Sequence, residues 1–194
     1  MTDLPPPRQA PFVATAESVE ARSAPLESAL SPAFRPLFDA EFGYVCRALR
    51  RLGVHEADVK DVAQELFVAV HARLDTYDPA RPVRPWLFAF AVRYASNYRR
   101  LARNRAEQAL SRVADAATPT DPRSDARDLI LRALGRLDFD RRTVIVMHDL
   151  EGFDAPEIAL QLQIPLNTVY SRIRLGRADF RDAVASLEAQ GGGS

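Results

Sequence analysis

From Phe153 the chain reads FDAPEIALQLQIPLNTVYSRIRLGRADFR, with Arg172, Arg174, Arg177 and Arg181 gathered in one helical window behind a turn. Guanidinium groups carried on a helix clamp phosphates and pair bidentately with base edges, so the chemistry within reach is DNA recognition rather than turnover of a small molecule. The surrounding signals agree. Asp154 followed by Glu157 is a capping box, and Ile158, Ala159 and Leu162 put small and apolar groups on one face. Pro165 forces its predecessor out of helical geometry and suits the first turn of a new helix, so one helix ends near Gln163 and the next starts near Pro165. In that second helix Val169 and Ile173 are four apart and turn inward. Thr168, Tyr170, Ser171, Arg172, Arg174 and Arg177 are left on polar faces, the layout of a helix-turn-helix with its recognition helix.

A second set interleaves aromatics with arginine: Trp86, Phe88, Phe90, Tyr94 and Tyr98 beside Arg93, Arg99 and Arg100. Aromatic faces stack on unstacked bases while guanidinium groups neutralise phosphate, the combination that holds single-stranded nucleic acid. Trp86, Phe90 and Tyr94 are four apart and also read as a core stripe, whereas Tyr98, Arg99 and Arg100 do not. A third set is acidic. Asp58, Asp61 and Glu65 share one side of a helix at spacings of three and four, but no histidine or further carboxylate stands at metal-ligand spacing. The set therefore reads as a solvated or protein-binding face. His55, His71 and His148 are scattered, and there is no glycine-rich phosphate loop or nucleophile elbow. The sequence offers no catalytic residue, no metal site and no cofactor.

The elements that position these sets are helical. From Ala33, Phe34, Leu37, Phe38, Phe42, Val45, Leu49 and Leu52 recur at three and four until Gly53 ends the helix. A second helix runs from about Glu56 to Leu74, and a third from Pro85 or Trp86 to about Arg105. A further apolar block begins at Ala126, with Leu129, Ile130, Ala133, Leu134 and Leu137. The short TVIVMH that follows can be read as helix or strand. The expected fold is all-α, two small helical domains with the C-terminal one a helix-turn-helix. Residues 1–32 are a disordered proline-rich extension, 33–108 the first domain, 109–125 a flexible linker, 126–189 the second domain and 190–194 a flexible tail.

Over 194 residues the 26 basic and 26 acidic side chains cancel, so global charge gives no vote for nucleic acid. Local charge does, because Arg93, Arg99, Arg100, Arg103, Arg105 and Arg112 meet only Glu107 in their window, while the helix before them is acidic. Two surfaces of opposite sign point to two different partners. Cys46 is alone, which excludes a disulfide framework and a thiolate metal site. No apolar run has the length of a membrane span, and the N-terminus lacks the basic start and apolar core of a signal peptide, so the expected protein is soluble and cytoplasmic.

Taken in order, DVAQELFVAV from Asp61, RPWLFAFAVRYASNYRR from Arg84 and EIALQLQIPLNTVYSRIRLGR from Glu157 resemble the compact two-domain sigma factors of bacterial RNA polymerase, the extracytoplasmic-function group of the sigma-70 family. The resemblance covers roughly residues 33–188. It implies a non-enzymatic subunit that binds core RNA polymerase, recognises promoter DNA and promotes its melting, with an anti-sigma factor as a further partner. By the same resemblance Asp58, Asp61, Gln64 and Glu65 would dock on the clamp coiled coil of the polymerase. Trp86, Arg93, Tyr94, Asn97, Tyr98, Arg99 and Arg100 would face the minus-ten element, and Thr168, Tyr170, Ser171, Arg172, Arg174 and Arg177 the minus-thirty-five element.

Several positions depart from the family pattern. Arg93 stands where Asn is usual and Asn97 where Asp is usual. Gln163 and Asn167 replace turn glycines, the second expected to be tolerable because Asn accepts left-handed geometry. Tyr170 replaces a lysine and Leu175 an arginine, and Gly176 costs about 1 kcal/mol against alanine inside a helix. The competing reading is a helix-turn-helix regulator that acts without polymerase; it predicts tight duplex binding by the free protein and a palindromic site. A helical enzyme is a third reading, without a catalytic constellation to support it.

Overall fold

The computed structural model describes residues 34–108 and 122–191, so the expectations for residues 1–32, for 109–121 and for the last three residues lie outside it. Among the described residues there is no strand. The elements are α1 (Phe34–Leu52), α2 (Val59–His71), a 3-10 turn (Leu74–Thr76), α3 (Val83–Gln108), α4 (Pro122–Arg136), α5 (Phe139–Ile145) running into a π-turn (Val146–Leu150), α6 (Ala155–Leu162) and α7 (Leu166–Gly191).

Two helical groups form, each around its own core. In the first, Val45, Leu49 and Leu52 of α1 pack with Val59, Ala63, Leu66, Phe67 and Val70 of α2 and Leu87, Phe88, Ala91 and Ala95 of α3, all buried. Phe34, Phe38 and Phe42 add an aromatic ladder that meets Phe67, with Phe38 and Phe67 edge-on at 4.9 Å between ring centres. In the second, Ala133 and Leu134 of α4 and Leu137 just after it close with Ile158 of α6 and Val169, Ile173, Ala183 and Leu187 of α7 around Val144, Ile145, Val146 and Met147. Those last four are consecutive and all buried, which is why TVIVMH carries no period: it is a central helical segment covered on every side.

The structure corrects several boundaries. α2 starts at Val59 and stops at His71, shorter at both ends than the apolar pattern suggests. Asp58 stands at its N-cap without capping it, because the carboxylate accepts from the hydroxyl of Tyr98 at 2.5 Å instead. α4 begins at Pro122, inside the stretch read as linker, since proline is at ease in a first helical turn. In α3 the fully buried stripe is Leu87, Phe88, Ala91 and Ala95, one register away from Trp86, Phe90 and Tyr94, which are half-buried. The left-handed residue of the turn between α6 and α7 is Gln163, at φ 54 and ψ 43, while Asn167 is already helical. Gly176 has a packing reason: a Cβ there would lie 2.7 Å from Cγ1 of Ile145, so the bare backbone is what lets α7 approach α5.

The two groups meet along a seam. Phe88 stands edge-on to Phe153 at 6.0 Å, and Arg51 pairs with Glu151. Arg142, 4 % exposed, donates from Nη1 to the carbonyl oxygen of Leu52. The guanidinium of Arg99 lies 4.8 Å from the centre of the Phe139 ring.

Candidate nucleic-acid and protein interfaces

α2 presents its acidic face outward because its opposite face is the apolar stripe from Val59 to Val70. Asp58, Asp61, Gln64 and Glu65 are all exposed, as expected for a docking face. Val68, one turn beyond Gln64 on the same face, is 65 % exposed and lies outside the expected set.

α3 runs beside this face, and a groove of about 400 Å³ opens between the two helices, lined by Asp58, Asp61, Val62, Glu65, Tyr94, Asn97, Tyr98, Leu101 and Ala102. The carboxylates assigned to polymerase docking and three residues assigned to the minus-ten element thus share one groove, where the charge pattern pointed to two separate surfaces. Tyr94 is half-buried, and its hydroxyl is pushed above its ordinary value by burial and by Glu65. Tyr98 is fastened to Asp58. Arg93 and Arg100 are exposed, with Arg100 donating to the side-chain oxygen of Asn97 at 2.8 Å. Trp86 lies tilted against Tyr77 and edge-on to Phe90, at 5.1 and 5.0 Å between ring centres. Arg99 is the member of the set that the structure does not bring to this side. It turns into the seam, where burial and Arg103 lower its pKa and its Nη1 is buried without a hydrogen-bond partner among the described residues.

The helix-turn-helix is built as its sequence dictates. Asp154 caps α6 by accepting from the Glu157 amide at 2.7 Å, and α6 crosses to α7 through the left-handed Gln163. In α7, Tyr170, Ser171 and Arg174 are exposed and Thr168 is half-buried, its carbonyl accepting from the Ser171 hydroxyl at 2.9 Å. Arg181, two turns past Arg174 on the same stripe and outside the expected set, is also exposed. Arg172 and Arg177 are engaged within the fold. Arg172 pairs with Asp140 of α5, and Arg177 grips Asp149 of the π-turn through Nε at 2.9 Å and Nη2 at 2.6 Å. The Arg177 hydrogen bond holds the Asp149 carboxyl below its ordinary value of 3.8 against the opposing effect of burial, with His148 adding a second bond at 2.7 Å. Among the described residues no cluster of His, Cys, Asp or Glu could hold a metal ion, and no helix is long and apolar enough to cross a membrane.

A capped helix-turn-helix behind an acidic and an aromatic-arginine helix defines a helical transcription factor. The comparisons narrow this. Residues 37–105 match the family Sigma-70 region 2, and residues 127–180 match Sigma-70, region 4. The chain is 35 % identical over 147 residues to the RNA polymerase sigma factor CnrH of Cupriavidus metallidurans, covering 69 % of this chain and 77 % of that one. The solved structure of CnrH in complex with the cytosolic domain of CnrY superposes with a TM-score of 0.58 at 32 % identity, over 84 % of this chain and 92 % of the other. The sigma factor RpoE of Bartonella quintana, solved with the anti-sigma factor NepR, shares the fold with a TM-score of 0.67 at 18 % identity, over 80 % of this chain and 98 % of the other. The chain belongs to the sigma-70 family of RNA polymerase sigma factors, in its extracytoplasmic-function group. It is a transcription initiation factor that recognises promoters.

Proposed function

We propose the following division of labour within this sigma factor. The exposed face of α2, with Asp61, Gln64, Glu65 and Val68, docks on core RNA polymerase. The carboxylates repel a polyanion, so the minus-ten strand runs along the far flank of α3, where Trp86, Arg93 and Arg100 supply a stacking face and phosphate contacts. Tyr94, Asn97 and Tyr98 form the border between protein and DNA. The outward face of α7, around Tyr170, Ser171 and Arg174, enters the minus-thirty-five element. An anti-sigma protein of the kind solved with the neighbours covers these surfaces when transcription is off. The protein works in the cytoplasm and catalyses no reaction of its own.

The observation that carries this reading is the groove between α2 and α3, where an acidic, partly apolar docking face abuts an arginine-bearing aromatic helix in the same chain as a helix-turn-helix. A regulator that acts alone needs only the last of these. Reconstitution with core polymerase tests it. The chain should co-purify with core and give transcripts from specific start points of a promoter library; tight palindromic duplex binding by the free chain, without core association, would establish the regulator instead.

A further inference from the structure

The recognition helix carries four arginines, and they do not have the same job. Successive residues of a helix turn by about 100°, which fixes where each side chain stands around α7. Val169, Ile173, Ala183 and Leu187, with Gly176, form the buried stripe. Arg172 borders the buried stripe, and Asn167, Ser171, Arg174 and Arg181 occupy the outward face; Arg177 is exposed on the same stripe as Tyr170, seven residues before it. What sets Arg172 and Arg177 apart from the rest is their ion pairs. Arg172 reaches Asp140 and Arg177 grips Asp149, each tying α7 to the segment beneath it. Arg141 of α5 returns a third tie, to Asp179 at 2.6 Å. Arg174 and Arg181 make no ion pair with the described residues, and Tyr170 is 54 % exposed.

We propose that Arg172 and Arg177 are positioning residues that set the tilt and rotation of α7, and that the minus-thirty-five sequence is read by Tyr170 and Arg174, with Arg181 on phosphate. This rests on the assignment of α7 to the upstream element. Partly exposed pairs of this kind contribute little energy, and what they fix is direction. Arg177 commits Nε and Nη2 to Asp149 and Arg172 commits Nη2 to Asp140, so either must break its pair to lay that edge on a guanine, and a paired arginine has little net charge left to attract a phosphate. Arg174 is spared both costs. Nδ1 of His148 bonds the same carboxylate of Asp149 at 2.7 Å, which helps to hold it in place for the Arg177 fork.

The test uses holoenzyme reconstituted with core RNA polymerase and promoter DNA selected by the wild-type holoenzyme from a library randomised across the minus-thirty-five region. Arg174→Ala and Tyr170→Ala should each cut the preference for the selected over a scrambled element by about tenfold. Arg181→Ala should weaken both and lower the slope of log affinity against log salt by about 1. Arg172→Ala and Arg177→Ala should weaken binding with that slope unchanged, and Arg177→Asp combined with Asp149→Arg should recover the preference that Arg177→Asp alone loses. A slope lowered by about 1 in either positioning variant overturns the proposal, as does a full preference in Arg174→Ala. Should Arg177→Ala fail to fold by circular dichroism, Asp149→Asn decides: a positioning arginine predicts a reduced preference, a DNA-contacting one released from its partner predicts tighter binding and a steeper slope. A library from which the wild-type holoenzyme enriches no sequence would instead count against the sigma assignment of α7.

Discussion

Nη1 of Arg142 donates to the carbonyl oxygen of Leu52 at 3.1 Å, across 90 residues of chain. Leu52 is the last residue of α1, and its free carbonyl belongs to the negative end of that helix, a site that favours a cation. Burial and the neighbouring Arg99 lower the Arg142 pKa to about 10, but a guanidinium at neutral pH stays charged. The contact therefore holds a cation in the seam on a helix-end carbonyl, with the Asp138 carboxylate also favouring the charge.

Gly53 makes room for it. The residue is left-handed, at φ 98, and a Cβ there would come within 2.2 Å of Arg142 Nη1. Gly53→Ala meets both a strained backbone and an occupied space, so it should lower the unfolding free energy by roughly 2–4 kcal/mol. Urea titration measures this, and a loss below that of an ordinary surface substitution would show that the seam adjusts freely.

The turn of the helix-turn-helix offers the opposite case. Gln163 holds left-handed geometry that costs an L-residue about 1–2 kcal/mol, part of which glycine returns as unfolded-state entropy. Gln163→Gly should raise stability by about 0.5–1 kcal/mol without altering promoter preference. A thermal midpoint at or below that of the unchanged protein would count against it.

The comparison of sequence and structure turns on range. The capping of α6 by Asp154, the turn before Pro165 and the inward Val169 and Ile173 were legible because each signal acts within a few residues. The engagement of Arg172 with Asp140 and of Arg177 with Asp149 was not, since the partners lie 32 and 28 positions away and only packing of α5 beneath α7 joins them. Asp58 was legible as an acidic helix start but not as the partner of Tyr98, 40 residues on. Arg99 looked like its neighbour Arg100 in the sequence, yet one helical step turns it into the seam.

Gly176 illustrates a local cost overruled by a distant contact. Alanine would gain about 1 kcal/mol of helix propensity, but its Cβ would press on Ile145 Cγ1, and overpacking of this kind costs about 1–3 kcal/mol. Gly176→Ala should thus destabilise by up to about 2 kcal/mol in the native background. After Ile145→Ala the sign should reverse. A double-mutant cycle showing plain additivity would mean that the two helices are not in register as described.

The seam also limits what the free protein can do. Elements centred about 25 base pairs apart are separated by roughly 85 Å of duplex, whereas a folded chain of this size has a radius of gyration of about 16 Å. On the proposed division of labour, the two helical groups must part before both elements are engaged. Cys46 is buried, so cysteines introduced at the exposed Ala40 and Glu188 can be labelled selectively. Energy transfer between the labels should be high in the free protein and fall when holoenzyme binds promoter DNA; unchanged transfer would show that the seam stays closed.

The tie between Arg177 and Asp149 predicts how the C-terminal group responds to acid. Asp149 is held below its ordinary value, first by the Arg177 hydrogen bond and then by that of His148, so the folded state favours the ionised carboxylate. A group with a depressed folded pKa contributes stability that is fully present above the unfolded value, near pH 4, and is lost as pH falls through the lower folded value. Asp149→Asn should therefore cost about 1 kcal/mol at pH 7, and the difference from the unchanged protein should close between pH 4 and more acid conditions. Unfolding free energies measured across that range check it. Curves that stay parallel down through the acid range would mean that the carboxylate is not favoured by folding, and the positioning role of Arg177 would lose its anchor.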